Sequence, residues 1–201
     1  MTDTPITRPA PIDGQIPAGA MDMDEFLRRQ AEAPFELYAG AIIPKMPQIF
    51  LHGLMSKRLY DLLHHFEMLG IGLVFNEMTF VMTDNPRSVR GSRIPDVMFV
   101  LQATVDAFLN SLPDAREKPA IFVPEFVIEV MSPTDTLTQL LDKAAAYLTD
   151  GVQLVWIVDP HAKQVHVVRH DQPTPHTASN GEITGAPVLP TFTVTLESLF
   201  A

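Results

Sequence analysis

Apolar positions along this chain follow two periods. Over residues 52–69, Met55, Leu59, Leu62, Leu63, Phe66 and Leu69 recur every three or four positions, which predicts an amphipathic helix ended by Gly70 and Gly72. Leu137, Leu140, Leu141, Ala144 and Leu148 repeat the pattern and predict a second helix closed by Gly151. Between and after them lie short apolar runs that predict strands. Residues 73–81 supply one strand or two, 94–101 another, and 152–158, almost wholly apolar, a fully buried one. Gln164–Arg169 alternates, and a short strand surrounds Phe192. Phe35–Tyr38 and residues 41–43, joined by Ala39 and Gly40, read as a hairpin. Short helices are expected after the capping-box-like Asp22 to Glu25, within 103–120, and over 196–200. Residues 84–93 read as a polar loop and 173–190 as a Pro-rich one.

Residues 1–20 carry Pro5, Pro9, Pro11 and Pro17 with few large apolar groups, and are expected to form a flexible arm. The rest, 21–201, shows no internal repeat and no dividing linker, so a single domain is expected. Its order of hairpin, helix, strands, helix and strands predicts a mixed α/β fold around one central sheet flanked by helices.

The apolar run from Phe126 onward contains one carboxylate, Glu129. Alternation puts Val127, Glu129 and Met131 on one face and Phe126, Ile128 and Val130 on the other. An ionised carboxylate inside a sheet requires a partner, a proton or a cation. Asp96 stands in the same situation in the run 94–101, and Lys143 lies on the helix that follows Glu129. Two buried acids and a lysine suit a hard cation such as Mg²⁺, with the ammonium beside a scissile phosphate. Satisfaction by arginines or backbone donors is an equal alternative on these residues alone.

Composition narrows the setting. Hydrophobic residues at 46% and charged residues at 19% describe a globular chain, and no apolar run reaches membrane-spanning length. With no basic start followed by an apolar stretch, the cytoplasm is the expected compartment. The absence of cysteine excludes disulfides and thiolate metal sites. A formal net charge of −10 argues against broad, non-specific nucleic-acid binding, though not against a local basic channel.

Four phrases in order, residues 93–100, residues 124–133, Lys143 to Tyr147 with Gly151-Val152, and Trp156 to Pro160, resemble the Uma-type restriction-endonuclease family of the PD-(D/E)XK nuclease superfamily. The resemblance runs from about Phe35 to Phe200. It implies a restriction-endonuclease-like fold, DNA as partner, and Mg²⁺ or Mn²⁺ held by Asp96 and Glu129. Glu36, on the opening hairpin, resembles a further acid that completes the metal site. The superfamily's lysine usually stands two residues after the second acid, where this chain has Met131. Lys143 resembles the relocated lysine, and Tyr147, one helical turn on, shares its face. His52 matches a His-Gly pair at the start of the first long helix and is a supporting candidate. Nucleases of this fold often act as homodimers, although no stretch marks an interface.

Arg87, Arg90 and Arg93 precede Asp96 and are candidate phosphate contacts. His161, His166 and His170 carry no supporting carboxylate motif, and zinc there is the weaker expectation. Trp156 and the methionines read as core, and Asp159-Pro160 as a turn. The leading expectation is a metal-dependent DNA endonuclease. A non-catalytic module that keeps the nuclease fold and binds nucleic acid or a protein, or a hydrolase of another phosphate ester, are the competing expectations.

Overall fold

The computed structural model describes residues 16–201, so most of the expected N-terminal arm lies outside the described residues. The chain begins with β1 (Met21–Asp22), α1 (Met23–Glu32), the hairpin β2 (Phe35–Tyr38) and β3 (Ala41–Pro44), and the long helix α2 (Phe50–Met68). Next come β4 (Gly72–Asn76), β5 (Phe80–Met82), β6 (Ser88–Val89), β7 (Gly91–Arg93), β8 (Val97–Leu101), α3 (Gln102–Ser111) and β9 (Phe126–Val130). The remainder is α4 (Leu137–Asp150), β10 (Leu154–Asp159), β11 (Gln164–Arg169), β12 (Gln172–Ala178), β13 (Glu182–Gly185), β14 (Leu189–Thr195) and α5 (Leu196–Leu199).

The main sheet has six strands in the order β12-β11-β10-β9-β8-β4. Its β9–β10 pair is parallel and its other pairs are antiparallel, which makes it the expected mixed sheet. A second, antiparallel sheet of four strands runs β3-β2-β7-β5. The two sheets are joined through residues 94–96, the short segment between β7 and β8.

Strand β9 is buried on both faces, and its alternation sorts the core. Phe126, Ile128 and Val130 pack with Met55, Leu59 and Leu63 of α2 and with Trp156. Val127, with Met131 just beyond the strand, packs with Leu140, Ala144, Tyr147 and Leu148 of α4. Helix α4 starts at a capping box in which Thr136 and Gln139 satisfy each other's backbone donors. It ends at Gly151, whose φ of 114° suits a residue without a Cβ.

Three expectations change. Residues 84–93 are not a free loop, because β6 pairs with β1 and β7 is clasped between β2 and β5. The Pro-rich stretch 173–190 contains β12, β13 and the start of β14. Pro173 and Pro175 are tolerated because β12 is the outer strand of the main sheet, where missing N–H donors break no inner ladder. Asp96 falls just before β8 rather than within it.

Two glycines carry opposite constraints. At Gly72 an added Cβ would stand 2.1 Å from the Val100 carbonyl oxygen and 2.8 Å from the Phe99 ring, so the antiparallel β4–β8 contact requires glycine. At Gly53, inside α2, the only atom near such a Cβ belongs to the Gln48 side chain, at 3.4 Å. Gly72→Ala should therefore destabilise by about 2 kcal/mol or more, whereas Gly53→Ala should stabilise by about 0.5–1 kcal/mol through helix propensity. Urea melts of both variants against the parent check the opposite signs.

Candidate active site

Pairing of Val97 with Ile128 in the antiparallel β8–β9 ladder sets Asp96 beside Glu129. Both side chains are buried and line a cavity of about 750 Å³ shared with Glu36, Lys45, His52 and Lys143. The sheet junction supplies Asp96, the main sheet Glu129, the hairpin Glu36, and the two helices His52 and Lys143.

Asp96 is held on both oxygens. Its Oδ2 accepts the Val130 backbone N–H at 2.8 Å and approaches His52 Nε2 to 3.0 Å. Its Oδ1 accepts Lys45 Nζ at 2.7 Å. Glu129 Oε1 accepts the Tyr147 hydroxyl at 2.5 Å and pairs with Lys143 Nζ at 3.0 Å. Lys143 also stands 3.1 Å from Glu36 Oε1, an oxygen that accepts the Ile94 backbone N–H at 2.8 Å. Lys143 therefore bridges two acids on two different sheets.

Burial and charge pull these groups apart in acidity. For Asp96, burial favours the neutral acid, but the His52 hydrogen bond and the Lys45 charge outweigh it and hold the carboxyl well below its usual range. Glu129 goes the other way: burial, reinforced by Asp96 and Glu36, pushes it up to about 7 against the pull of Lys143. Burial alone would lower Lys45 and His52, yet the Asp96 carboxylate raises both above their ordinary values. Lys143 is likewise raised, with Glu129 and Glu36 overcoming its desolvation. Burial and the Glu129 charge both push the Tyr147 phenol up, so it is a firm hydrogen-bond donor.

Of the residues singled out in the sequence, Asp96, Glu129, Glu36, Lys143, Tyr147 and His52 converge here. The arginines do not form a phosphate clamp. Arg93 is a buried strut whose guanidinium donates to the Leu37 and Ser92 carbonyls, pairs with Asp150 at 2.7 Å and covers the Tyr38 ring. Arg90 pairs with Asp84 at 3.3 Å, and both it and Arg87 are exposed away from the cavity lining. His166 Nδ1 is spent on the Thr177 hydroxyl, while His161 and His170 are exposed, and among the described residues the three belong to no metal-holding group.

Lys45 went unnoticed in the sequence. Its signal was its place, directly after the hairpin strand that pairs with the strand of Glu36. Among the described residues no three His, Asp or Glu side chains form a ready-made metal cage, because the two lysines sit between the acids. The donor set still fits a hard divalent cation. Mg²⁺ characteristically takes one or two carboxylates and keeps several waters, and Asp96 and Glu129 supply adjacent carboxylates facing one cavity.

Paired buried acids and a lysine thus meet where the two sheets join. The family described as "Uma2: Putative restriction endonuclease" matches residues 23–197, and the chain belongs to that family. The chain is similar to a solved structure described as a putative nuclease belonging to DUF820 from Anabaena variabilis ATCC 29413, with a TM-score of 0.69 and 20% sequence identity. That similarity covers 90% of this chain and 97% of the other, and it supports the restriction-endonuclease-like fold. No curated protein matches the chain. No helix among the described residues is long and apolar enough to cross a membrane.

The opposed acidities give two windows of pH dependence. Glu129, raised when folded, makes the folded state bind its proton more tightly, so stability falls as pH rises from about 4.5 to about 7. Asp96, depressed when folded, contributes stability above its ordinary value of 3.8 that is lost as pH falls below it. Glu129→Gln, which still accepts from Tyr147, should remove the upper slope and leave the lower one. At neutral pH the gain should be about 3 kcal/mol or less, from about 1.4 kcal/mol per pKa unit. Thermal melts at half-unit pH steps read both slopes.

Proposed function

We propose that the chain is a divalent-metal-dependent endonuclease that hydrolyses DNA phosphodiester bonds. The observation that carries this reading is the placement of Asp96 beside Glu129 in one cavity, with Lys143 bridging Glu129 to Glu36. Membership of the family described as "Putative restriction endonuclease" and the fold shared with a structure described as a putative nuclease support it.

Asp96 and Glu129, with Glu36 beside them, would hold Mg²⁺ or Mn²⁺. Such an ion, when bound, lowers the pKa of a coordinated water and offsets charge on the scissile phosphate. The chain's own groups have distinct parts. His52 and the Val130 N–H fix the Asp96 carboxylate, and the Tyr147 hydroxyl fixes Glu129. Lys143, kept charged by two acids, presents its ammonium where negative charge grows on the phosphoryl oxygens. It takes from a helix the place that Met131 cannot fill from the strand.

A second reading, a non-catalytic module with this fold, is favoured by one observation: both oxygens of Asp96 are already engaged, by Lys45, His52 and a backbone donor. Mn²⁺ titration separates the two, since only the enzyme requires binding at these acids.

Asp96→Asn and Lys143→Met should each reduce Mg²⁺-dependent cleavage of plasmid DNA by roughly 100-fold or more while leaving a cooperative melt. Wild-type rates from the purified variants would defeat the proposal. A panel of oligonucleotides and small phosphodiesters, assayed in parallel, shows whether DNA or another phosphate ester is the substrate.

A further inference from the structure

We propose that Lys45 is a second phosphate-contacting lysine, which holds the metal-facing oxygen of Asp96 until a divalent cation takes its place. The inference begins with the two oxygens of that carboxylate. Oδ2 is committed to the protein through the Val130 N–H and His52. Oδ1 meets only Lys45, at 2.7 Å, among the described residues. A cation that engages Asp96 from the cavity must therefore share or take the oxygen that the Lys45 ammonium occupies.

Lys45 is built to yield where Lys143 is not. The Lys143 ammonium is bracketed by two carboxylates at 3.0 and 3.1 Å and lies over the Tyr147 ring. Lys45 has one close carboxylate, one backbone carbonyl, Ile94 at 3.2 Å, and the half-exposed Glu77 at 3.6 Å as an alternative partner. It follows the hairpin rather than standing in a helix, and its side chain lines the cavity. Once off Oδ1, its ammonium remains at the cavity wall, where an incoming phosphodiester supplies a new anion.

Charge balance favours the same exchange. With the acids ionised, Glu36, Asp96 and Glu129 exceed Lys45 and Lys143 by a single negative charge. A divalent cation turns that excess into one positive charge, and one phosphodiester anion cancels it. With all three acids ionised and both lysines in place, cation and phosphate together bring the cluster to neutrality.

The phosphate contact rests on the endonuclease reading, whereas the exchange requires only that a divalent cation engage Asp96. Lys45→Met and Lys45→Gln test both parts in the full chain, the glutamine retaining a donor for the Ile94 carbonyl. Calorimetric titration with Mn²⁺ should show both variants binding about tenfold more tightly than the parent, because the competing ammonium is gone. Plasmid cleavage by the same proteins should fall by roughly 100-fold. Unchanged or weaker Mn²⁺ binding in variants that melt cooperatively overturns the exchange. Undiminished cleavage overturns the phosphate contact. Tighter Mn²⁺ binding in a protein whose parent cleaves no DNA upholds the exchange and removes the endonuclease reading instead.

Discussion

Three buried carboxylates, Glu36, Asp96 and Glu129, face one cavity, and the surrounding structure is arranged around the cost of keeping them there. Desolvated like charges repel, so each acid must find a cation, a proton or a donor. Asp96 is stabilised as an anion by Lys45, His52 and a backbone N–H. Glu129, desolvated and set beside two other acids, answers partly by holding a proton more tightly. These demands explain why five separate elements converge here: the hairpin for Glu36 and Lys45, α2 for His52, the sheet junction for Asp96, β9 for Glu129, and α4 for Lys143 and Tyr147.

Much of this was legible in the sequence because the constraint is local. Glu129 interrupts an apolar run, and the period of two states which neighbours share its face, as the packing of Val127 and Met131 against α4 bears out. Lys143 and Tyr147 share a helix face by their spacing. Asp96 stands out as Glu129 does, as an acid in an apolar run, whereas Glu36 joined the site only through the family resemblance. Lys45 was not legible, since its importance comes from a fold-back that sets a hairpin end against a residue 51 positions later. The arginines misled for a related reason. Charge alone cannot separate a residue offered to a ligand from one that staples two elements, and Arg93 does the latter.

That staple stands in the cavity wall, yet its guanidinium is spent on structural partners. Arg93 ties the Leu37 carbonyl of β2 to Asp150 at the end of α4. The hairpin that carries Glu36 and the helix that carries Lys143 are thereby fixed to the same guanidinium. Five donors in a rigid plane suit that task better than a flexible ammonium would.

The alternation of β9 has one further consequence, and it concerns errors rather than function. A slip of one residue against β8 or β10 would turn Glu129 into the wholly apolar layer of Leu59, Leu63 and Trp156, where no cation waits. The same slip would carry Ile128 into the acid cavity. The carboxylate that serves chemistry thus also proofreads assembly, because a misaligned sheet confronts an unpartnered charge in hydrocarbon. Correct strand register and a complete site are, in this chain, one event.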